Sequence, residues 1–378
     1  MEMMPIKIFH TADLHLGMKF TRGYAPDVQE NLVEARFETL RSMIETANRQ
    51  DCDLFVVAGD LFNNQRIPKK DVLRAADLLK GFDGRFVLVL PGNHDYIQKG
   101  EDQLWSRFHE SMSEHTLFLD APRCTDLTPH GLDMIVYAAP CTAKHSSTNA
   151  IGWIRECPKE PDTSFHCGIA HGSLEGLSPD FNKDYYPMSR EELSTAGLDL
   201  WLMGHTHIRY PDEDVGTEAK IFFPSTPEPD GFDCKHPGYA WLIELGEDKS
   251  VRYQSIQTGR YRFFTMEREL SAEDDVEVLK SYFHKLDREK HLVKLKLKGR
   301  VQGEIYDERS AMLTELNECV LHLEANLSEL FREITVEDIN REFTEGSFPY
   351  KLLMALAKDQ QNPISLQIAY DFIQKVRS

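Results

Sequence analysis

Short apolar runs alternate with longer amphipathic segments in the first part of the chain. The runs at 5–10, 54–58 and 86–90 are rich in β-branched and aromatic residues, which indicates buried strands. Apolar residues at near-helical spacing predict a long helix over 27–50 and a second helix over 69–80. Strands that alternate with helices are typical of a layered α/β domain.

The pattern is less regular in the middle of the chain. Loops are predicted at 11–26 and at 141–165, the second with a short helix at most, and Asp27 is the predicted N-cap of the first helix. Apolar runs predict further strands of the same domain at 116–119, 134–138, 167–170, 198–203, 221–223, 239–243 and 251–256.

A second region begins near residue 258, where the composition changes. Its pattern predicts the order β-α-β-α-β, with elements at 262–266, 273–286, 292–298, 307–317 and 321–327. The strand over 292–298 alternates apolar and basic residues, so one of its faces is predicted to be solvated and positive.

Two short amphipathic helices are predicted in the tail from Phe348, separated at Asn362 and Pro363. The second helix carries an apolar stripe at Leu366, Ala369, Tyr370 and Ile373. We therefore expect three parts: an α/β domain at 1–258, a small α+β domain at 259–335 and a helical tail at 336–378.

Length and composition fit this division. A chain of 378 residues and 43.5 kDa is too long for one ordinary core. No apolar run approaches the roughly 20 residues of a membrane span, and the first residues lack the features of a signal peptide. The seven cysteines are scattered without a C-x-x-C pair, so we expect reduced thiols and a cytoplasmic protein without membrane contact.

The net charge of −19 argues against a protein that simply coats nucleic acid. Residues 251–310 differ from the rest, with 13 Lys and Arg against 11 Asp and Glu. A polyanion is therefore expected to contact this segment, or to bind through metal ions.

Polar residues of metal-ligand type follow five of the predicted strands. The series is Asp-x-His, Gly-Asp, Gly-Asn-His-Asp, His-Gly and Gly-His-Thr-His, and its candidate ligands are Asp13, His15, Asp60, Asn93, His94, His171, His205 and His207. Each motif alone is common, but the ordered series is not expected by chance. Ligands bind at the carboxyl ends of strands in open α/β sheets, and mixed nitrogen and oxygen donors suit first-row divalent metals. Asp60 is the natural bridge, because one carboxylate can hold two cations.

The series resembles that of the calcineurin-like metallophosphoesterases. The stretches at 10–17, 58–62 and 91–95 are similar to the SbcD branch, the nuclease subunits of double-strand-break repair. The resemblance covers the first 258 residues and implies a layered β-sandwich flanked by helices. The small second domain is similar to the DNA-binding cap of that family by its pattern rather than by a motif.

The resemblance also implies roles for individual residues. Asp13, His15, Asp60 and His207 would hold one divalent metal, and Asp60, Asn93, His171 and His205 would hold the other. Manganese is the expected ion, while the ligand types also permit iron, zinc or magnesium. His94 would act as the acid beside the scissile phosphate, and Asp95 would orient His94.

The implied function is a two-metal DNA exonuclease and endonuclease that works with an SbcC-type coiled-coil ATPase, as a homodimer built from early helices such as that at 27–50. Lys294, Lys296, Lys298 and Arg300 would contact DNA phosphates, although a solvated strand face is an equal interpretation. The tail would either bind the ATPase or pack within the chain, and His10 is a candidate to support the site.

Two other functions stay open. One is a small-molecule phosphodiesterase, for example of cyclic nucleotides, although the separate second domain argues against it. The other is a non-catalytic scaffold, which the complete ligand series makes a poor interpretation. The stretch at 224–228 departs from the Gly-Ser pair that is frequent in the family at this point, so its role is left open.

Overall fold

The computed structural model describes residues 5–21, 23–98, 100, 103–157, 165–358 and 363–377. The chain divides into two compact units, the first ending at Tyr261 and the second beginning at Arg262. This division keeps the predicted small domain and the predicted tail in one unit. Asn362, at the predicted break between the tail helices, lies outside the described residues.

The first unit contains thirteen strands within the part of the chain that is described. They are β1 (Ile6–Thr11), β2 (Leu54–Ala58), β3 (Phe86–Leu90), β4 (Thr116–Phe118), β5 (Arg123–Asp126), β6 (Met134–Ala139), β7 (Phe165–His171), β8 (Leu200–Gly204), β9 (Arg209–Tyr210), β10 (Val215–Thr217), β11 (Ile221–Pro224), β12 (Tyr239–Leu245) and β13 (Val251–Gln257). The α-helices of this unit are α1 (Pro26–Arg49), α2 (Lys69–Leu79), α3 (Gln103–His109) and α4 (Arg190–Thr195), and 3₁₀ turns lie at Thr128–His130 and Gly152–Glu156.

The strands form two sheets that pack face to face. One sheet has the order β10-β13-β12-β1-β2-β3-β4, and the other has the order β5-β6-β7-β8-β11-β9. A single apolar cluster joins their inner faces, for example Ile8 and Val56 with Ile169 and Leu202. The predicted layered β-sandwich is therefore confirmed. Alternate residues of each strand point to opposite faces of the sheet, so one set of side chains from each sheet reaches this shared cluster.

Helices cover both outer faces of the sandwich. Phe9 and Val57 of the first sheet pack with Phe37 of α1 in a second apolar cluster. On the outer face of the other sheet, Trp201 packs with Leu193 of α4. Both faces of the central strands are buried in this way, which explains why their sequences are continuously apolar rather than alternating.

The largest helix begins differently from the prediction. Pro26 occupies the first turn of α1, the N-cap is Ala25, and no side chain caps the helix, so the prediction that Asp27 is the N-cap is wrong. Asp27 instead lies in the first turn, where its charge is favourable to the helix dipole. Helix α4 is not among the helices predicted from the sequence, although Ser189 and Glu192 form a capping box there.

The second unit begins with three parallel strands in the order β14-β15-β16. Its strands are β14 (Arg262–Leu270), β15 (His291–Val301) and β16 (His322–Arg332), and its helices are α5 (Glu273–Phe283), α6 (Gly303–Asp307), α7 (Arg309–Glu318), α8 (Val336–Glu342), α9 (Phe348–Lys358) and α10 (Pro363–Arg377). Leu295 and Leu297 of β15 pack against Leu279, Phe283 and Leu316, so the predicted apolar face of this strand is buried by helices.

The three tail helices share a small apolar cluster of their own. It is built on Ile339, Phe343, Leu353 and Tyr370. The predicted stripe on α10, which includes Tyr370, packs into this cluster and is therefore used within the chain. A second stripe on the same helix is exposed and consists of Ile364, Ile368, Phe372 and Val376. Among the helices of the described residues, none is both long and apolar enough to cross a bilayer.

Candidate metal centre

The polar motifs meet at one edge of the sandwich. Asp13 follows β1, Asp60 follows β2 and Asn93 follows β3, and these three strands are parallel neighbours in one sheet. His171 ends β7 and His205 follows β8, which are parallel neighbours in the other sheet. The carboxyl ends of both sheets therefore supply the cluster, as expected for an α/β fold.

Asp13, His15 and His207 form one ligand group. Their donor atoms all lie within 4.8 Å of one another. The Nε2 atoms of His15 and His207 are 3.2 Å apart, and His207 Nε2 is 3.7 Å from a carboxylate oxygen of Asp13. This is the set that was predicted to hold the first metal together with Asp60.

Asn93 is the centre of a second group. Its Oδ1 atom lies 3.0 Å from His171 Nε2 and 3.1 Å from His205 Nδ1. The other nitrogen of His171 is 2.9 Å from the carbonyl oxygen of Ala58, so Nδ1 donates there and Nε2 is left for a metal. The side chains predicted for the second metal thus converge.

Asp60 lies between the two groups. Its Oδ2 atom is 3.8 Å from His15 Nε2 and 3.4 Å from His171 Nε2. Asp60 also belongs to two three-residue groups with ligand spacing, one with His15 and His94 and one with Asp13 and His171. The Asp60 carboxylate therefore has the position that is needed to bridge the two predicted metal sites.

These donors fit two divalent metals. Two imidazole nitrogens of His15 and His207 face each other, and two more face the same amide oxygen of Asn93, in a buried cluster. Such lone pairs repel one another unless protons or cations lie between them. The mixture of imidazole, carboxylate and amide donors is suited to first-row divalent ions.

Burial and charge shift the pKa values of the cluster strongly. Burial raises the pKa of Asp13 to about 6 and lowers that of His205 to about 3. Burial alone would also raise the pKa of Asp60 and lower that of His171, but the attraction between these two side chains prevails. It holds the pKa of Asp60 well below its usual range and raises that of His171 to about 9. The cluster is therefore a strongly coupled site, which is typical of functional sites.

Four of the ligands have left-handed backbones. The φ angles are 55° at Asp13, 48° at His15, 54° at Asp60 and 91° at His205. This conformation is uncommon for residues with a side chain and is concentrated at functional sites. Hydrogen bonds between the loops stabilise it, including His15 N to the carbonyl oxygen of Asp60 at 3.0 Å and His205 N to the Asp13 carboxylate at 3.0 Å.

Two glycines permit the close approach of the ligand loops. A Cβ atom on Gly59 would lie 2.0 Å from Nδ1 of His171, and one on Gly92 would lie 2.2 Å from Oδ1 of Asp60. No side chain fits at either position without moving a ligand. The Gly-Asp and Gly-Asn-His motifs are thus explained by packing around the metal ligands.

The sequence model of the family described as Calcineurin-like phosphoesterase matches residues 6–209. The chain belongs to the calcineurin-like phosphoesterase family. The match contains every predicted metal ligand, from Asp13 to His207. For this phosphoesterase, the family and the α/β fold are therefore established, together with a hydrolase site for divalent metals.

Several relatives are similar to this phosphoesterase. "Uncharacterized metallophosphoesterase YhaO" of Bacillus subtilis is 29% identical over 212 residues, which are 54% of this chain and 49% of that protein. "DNA double-strand break repair protein Mre11" of Methanopyrus kandleri is 23% identical over 98% of this chain and 83% of its own length. The Mre11 protein of Haloferax volcanii is 23% identical over 78% and 61%. The chain thus spans about half of YhaO and more of the other two.

Solved structures are similar at low identity. TT1561 of Thermus thermophilus has a TM-score of 0.38 and 10% identity, over 67% of this chain and 99% of that one. A dimetal phosphatase from Danio rerio has a TM-score of 0.34 and 11% identity, over 66% and 98%.

The predicted acid of the phosphoesterase, His94, lies at the rim of the metal cluster. It lines a cavity of about 450 Å³ together with His15, Asp60 and Asn93. Its Nδ1 atom is 2.9 Å from the carbonyl oxygen of Asn63, so Nδ1 donates and Nε2 is the nitrogen free to act on a substrate.

Asp95 has a different role from the predicted one. Its carboxylate accepts hydrogen bonds from the backbone N–H groups of Phe62 and Gly92, at 2.9 and 2.7 Å. The orienting partner of the His94 ring is the carbonyl of Asn63, so the prediction that Asp95 orients His94 is wrong. Burial and the charge of Asp60 raise the pKa of Asp95 to about 8. Asp95 thus ties the loops after β2 and β3 together.

The open question about residues 224–228 is answered by their contacts. Thr226 Oγ1 donates to the carbonyl oxygen of Asp13 at 3.0 Å. The buried carboxylate of Glu228 accepts hydrogen bonds from Thr39 Oγ1 and from the backbone N–H groups of Arg260 and Tyr261, at 2.6, 2.8 and 2.9 Å. This loop therefore supports the first ligand loop from behind.

Two residues of the cavity wall are not among the site residues predicted from the sequence. Asp230 lies 3.2 Å from Nδ1 of His207, and the ring of Tyr185 packs on His205 with centroids 5.1 Å apart. Neither lies in a recognisable motif, so only tertiary structure could find them. His10 is fully buried, and burial lowers its pKa to about 3. Within the described residues, no hydrogen bond connects its side chain to a ligand side chain.

The lysines of β15 are paired rather than free. Lys294 is 2.9 Å from Glu324, Lys296 is 2.6 Å from Glu329, and Lys298 is 2.8 Å from Glu267. The face is solvated as predicted, but glutamates of the neighbouring strands neutralise it. DNA binding by these lysines and by Arg300 stays a prediction.

Proposed function

We propose that this phosphoesterase is a manganese-dependent DNA exonuclease and endonuclease of the SbcD and Mre11 type. The observation that carries the proposal is the convergence of the seven ligand side chains at one edge of the sandwich, where five of them line one cavity together with His94. The similarity to an Mre11 protein over 98% of this chain supports a polynucleotide substrate.

The chemistry divides between the metals and the chain. When bound, two divalent cations supply Lewis-acid stabilisation of the phosphodiester charge and favour a hydroxide nucleophile. Asp60 and Asn93 would help to hold the two ions, since each of these side chains faces two imidazoles. His94, in its protonated form, would donate from Nε2 to the departing sugar oxygen, because Asn63 fixes the other nitrogen as a donor.

One assay tests the proposal against its alternatives. The protein is incubated with Mn²⁺ and either linear duplex DNA, circular single-stranded DNA or bis-p-nitrophenyl phosphate. We expect both DNA substrates to be degraded. Turnover of the model ester without DNA cleavage would instead support a small-molecule phosphodiesterase, and inertness toward all three would support a scaffold.

We also propose that the tail binds an SbcC-type coiled-coil ATPase. The exposed stripe of Ile364, Ile368, Phe372 and Val376 has the four-residue spacing of a helix that lies in a groove or along another helix. Ile368→Lys should weaken association with the ATPase, while Thr344→Lys, an exposed change elsewhere in the tail, should not. Equal association of both variants would refute this partner site.

DNA contact by the second unit is a further part of the proposal. If Lys294, Lys296 and Lys298 bind phosphates, their replacement by Gln should reduce the slope of log affinity against log salt by about 0.9 per lost contact. An unchanged slope would mean that these lysines only form ion pairs with glutamates and do not contact DNA phosphates. The proposed homodimer is tested by light scattering of the purified protein.

A further inference from the structure

His207 differs from the other imidazoles of the metal cluster in its exposure. Its side chain is 34% exposed, whereas those of His15 and His171 are 4% and 0% exposed. A ring that is packed on fewer sides is held less firmly by its neighbours. His207 therefore needs another contact to keep Nε2 directed toward Asp13 and His15.

Asp230 supplies this contact. Its Oδ2 atom is 3.2 Å from Nδ1 of His207, on the opposite side of the ring from the ligand group. The other ring nitrogen, Nε2, is 3.2 Å from His15 Nε2. The backbone of His207 is also held, because Nε2 of His236 donates to its carbonyl oxygen at 3.0 Å.

A buried cation lies behind Asp230. The side chain of Arg36 is almost fully buried on α1, and its charge interacts favourably with Asp230 and Glu228. Arg36 also donates to the carbonyl oxygen of Leu14, between the ligands Asp13 and His15, at 2.7 Å. Asp230 thus lies between a fixed positive charge and the His207 ring.

We propose that Asp230 is a positioning residue for the first metal, which fixes the His207 ring and makes Nε2 a stronger donor. Carboxylate partners of ligating histidines act in this way, and their loss reduces metal affinity by about 10- to 100-fold. The proposal predicts an effect mainly on one of the two metals, because the His207 ring faces Asp13 and His15 of the first ligand group, whereas Asn93 faces His171 and His205. It concerns the metal centre and does not depend on the nuclease proposal.

The test is a Mn²⁺ titration without nucleic acid, followed by calorimetry or by the electron paramagnetic resonance signal of free Mn²⁺. Asp230→Ala should weaken one of the two binding steps by about 10- to 100-fold and leave the other within about threefold. Asp230→Asn, which keeps an acceptor oxygen but removes the charge, should recover part of this loss. The matched control is Asp233→Asn, an exposed carboxylate on the same loop.

The same substitution in an Asn93→Ala background shows which metal is affected. There the second site is impaired, so the Mn²⁺ affinity that remains is that of the first site, and Asp230→Ala should lower it by the full amount of about 10- to 100-fold. Two results would overturn the proposal: unchanged affinity of both steps in Asp230→Ala, or equal weakening of both steps with no recovery in Asp230→Asn. A protein that binds metal as expected but leaves DNA intact would refute the nuclease proposal and not this one.

Discussion

At the scale of single residues, the site is a set of side chains with separate roles. Asp60 faces both ligand groups, Asn93 faces two imidazoles of the second group, and His94 lies at the rim with one nitrogen fixed by a carbonyl. His94 also falls within ligand spacing of Asp60 and His15, so geometry alone permits it to be either an acid or a ligand.

His94→Ala should separate these two roles. We expect phosphodiester cleavage to fall by about 100-fold or more, which is the usual contribution of a general acid, while the bound Mn²⁺ per chain stays nearly unchanged. Metal analysis of the purified variant beside an activity assay provides the measurement. Loss of metal together with activity would make His94 a ligand instead.

The two ligand groups should also lose metal separately. Asp13→Ala should weaken mainly the site with His15 and His207, and Asn93→Ala mainly the site with His171 and His205, because each side chain faces one group most closely. A Mn²⁺ titration of each variant gives the two affinities. If either change weakens both sites equally, the division of ligands between them is too simple.

At the scale of elements, the strands direct the ligands but the connecting loops determine their geometry. The loop after β1 is held by Thr226 and by Arg36, and the loops after β2 and β3 are joined by Asp95. Such supporting contacts hold the strained left-handed backbones in place. The loop at 224–228 therefore contributes stability rather than ligands.

Gly92→Ala tests how tightly these loops pack. The added Cβ would lie 2.2 Å from Oδ1 of Asp60, so the loop after β2 or the loop after β3 must move. We expect a loss of about 1–3 kcal/mol in the free energy of unfolding, as for other overpacked sites, and a marked loss of Mn²⁺ affinity. Gly152→Ala is the matched control, because its new Cβ would meet only Asn149 at 3.8 Å. Similar unfolding curves for both variants would contradict this packing argument.

At the scale of the whole molecule, the metal ligands all belong to the first of the two units. Metal binding should therefore stabilise the first unit alone. Excess Mn²⁺ at about 100 times the dissociation constant of a site should add about 2.7 kcal/mol for each occupied site to the free energy of unfolding of that unit. Calorimetry with and without Mn²⁺ measures the effect.

Asp60→Asn provides the control for this stabilisation. The substitution removes the charge that faces both ligand groups, so most of the increase in Tm with Mn²⁺ should disappear. An increase of the same size in the variant would indicate that Mn²⁺ acts outside the predicted centre. The unfolding of the second unit should be the same in both proteins.

The sequence by itself determined which strands form the core and which residues are candidate ligands. Buried strands such as β2 and β3 are continuous apolar runs, and the ligands follow them directly, so both signals are local. The same local reasoning failed at the start of α1, where Pro26 in the first turn displaced the cap expected at Asp27. For the stripe on α10 it left partner binding and packing within the chain both open, and this stripe packs within the tail.

Only the tertiary structure decided how distant residues combine. Asp230 contacts His207, Thr226 contacts the backbone of Asp13, and the lysines of β15 contact glutamates of β14 and β16. These partners are far apart in the chain or on separate strands, and the periodicity of the sequence does not predict their contacts. Ligand identity follows from local sequence because each side chain must leave the end of its own strand, whereas ligand orientation depends on contacts that exist only after the sheets and loops have packed together.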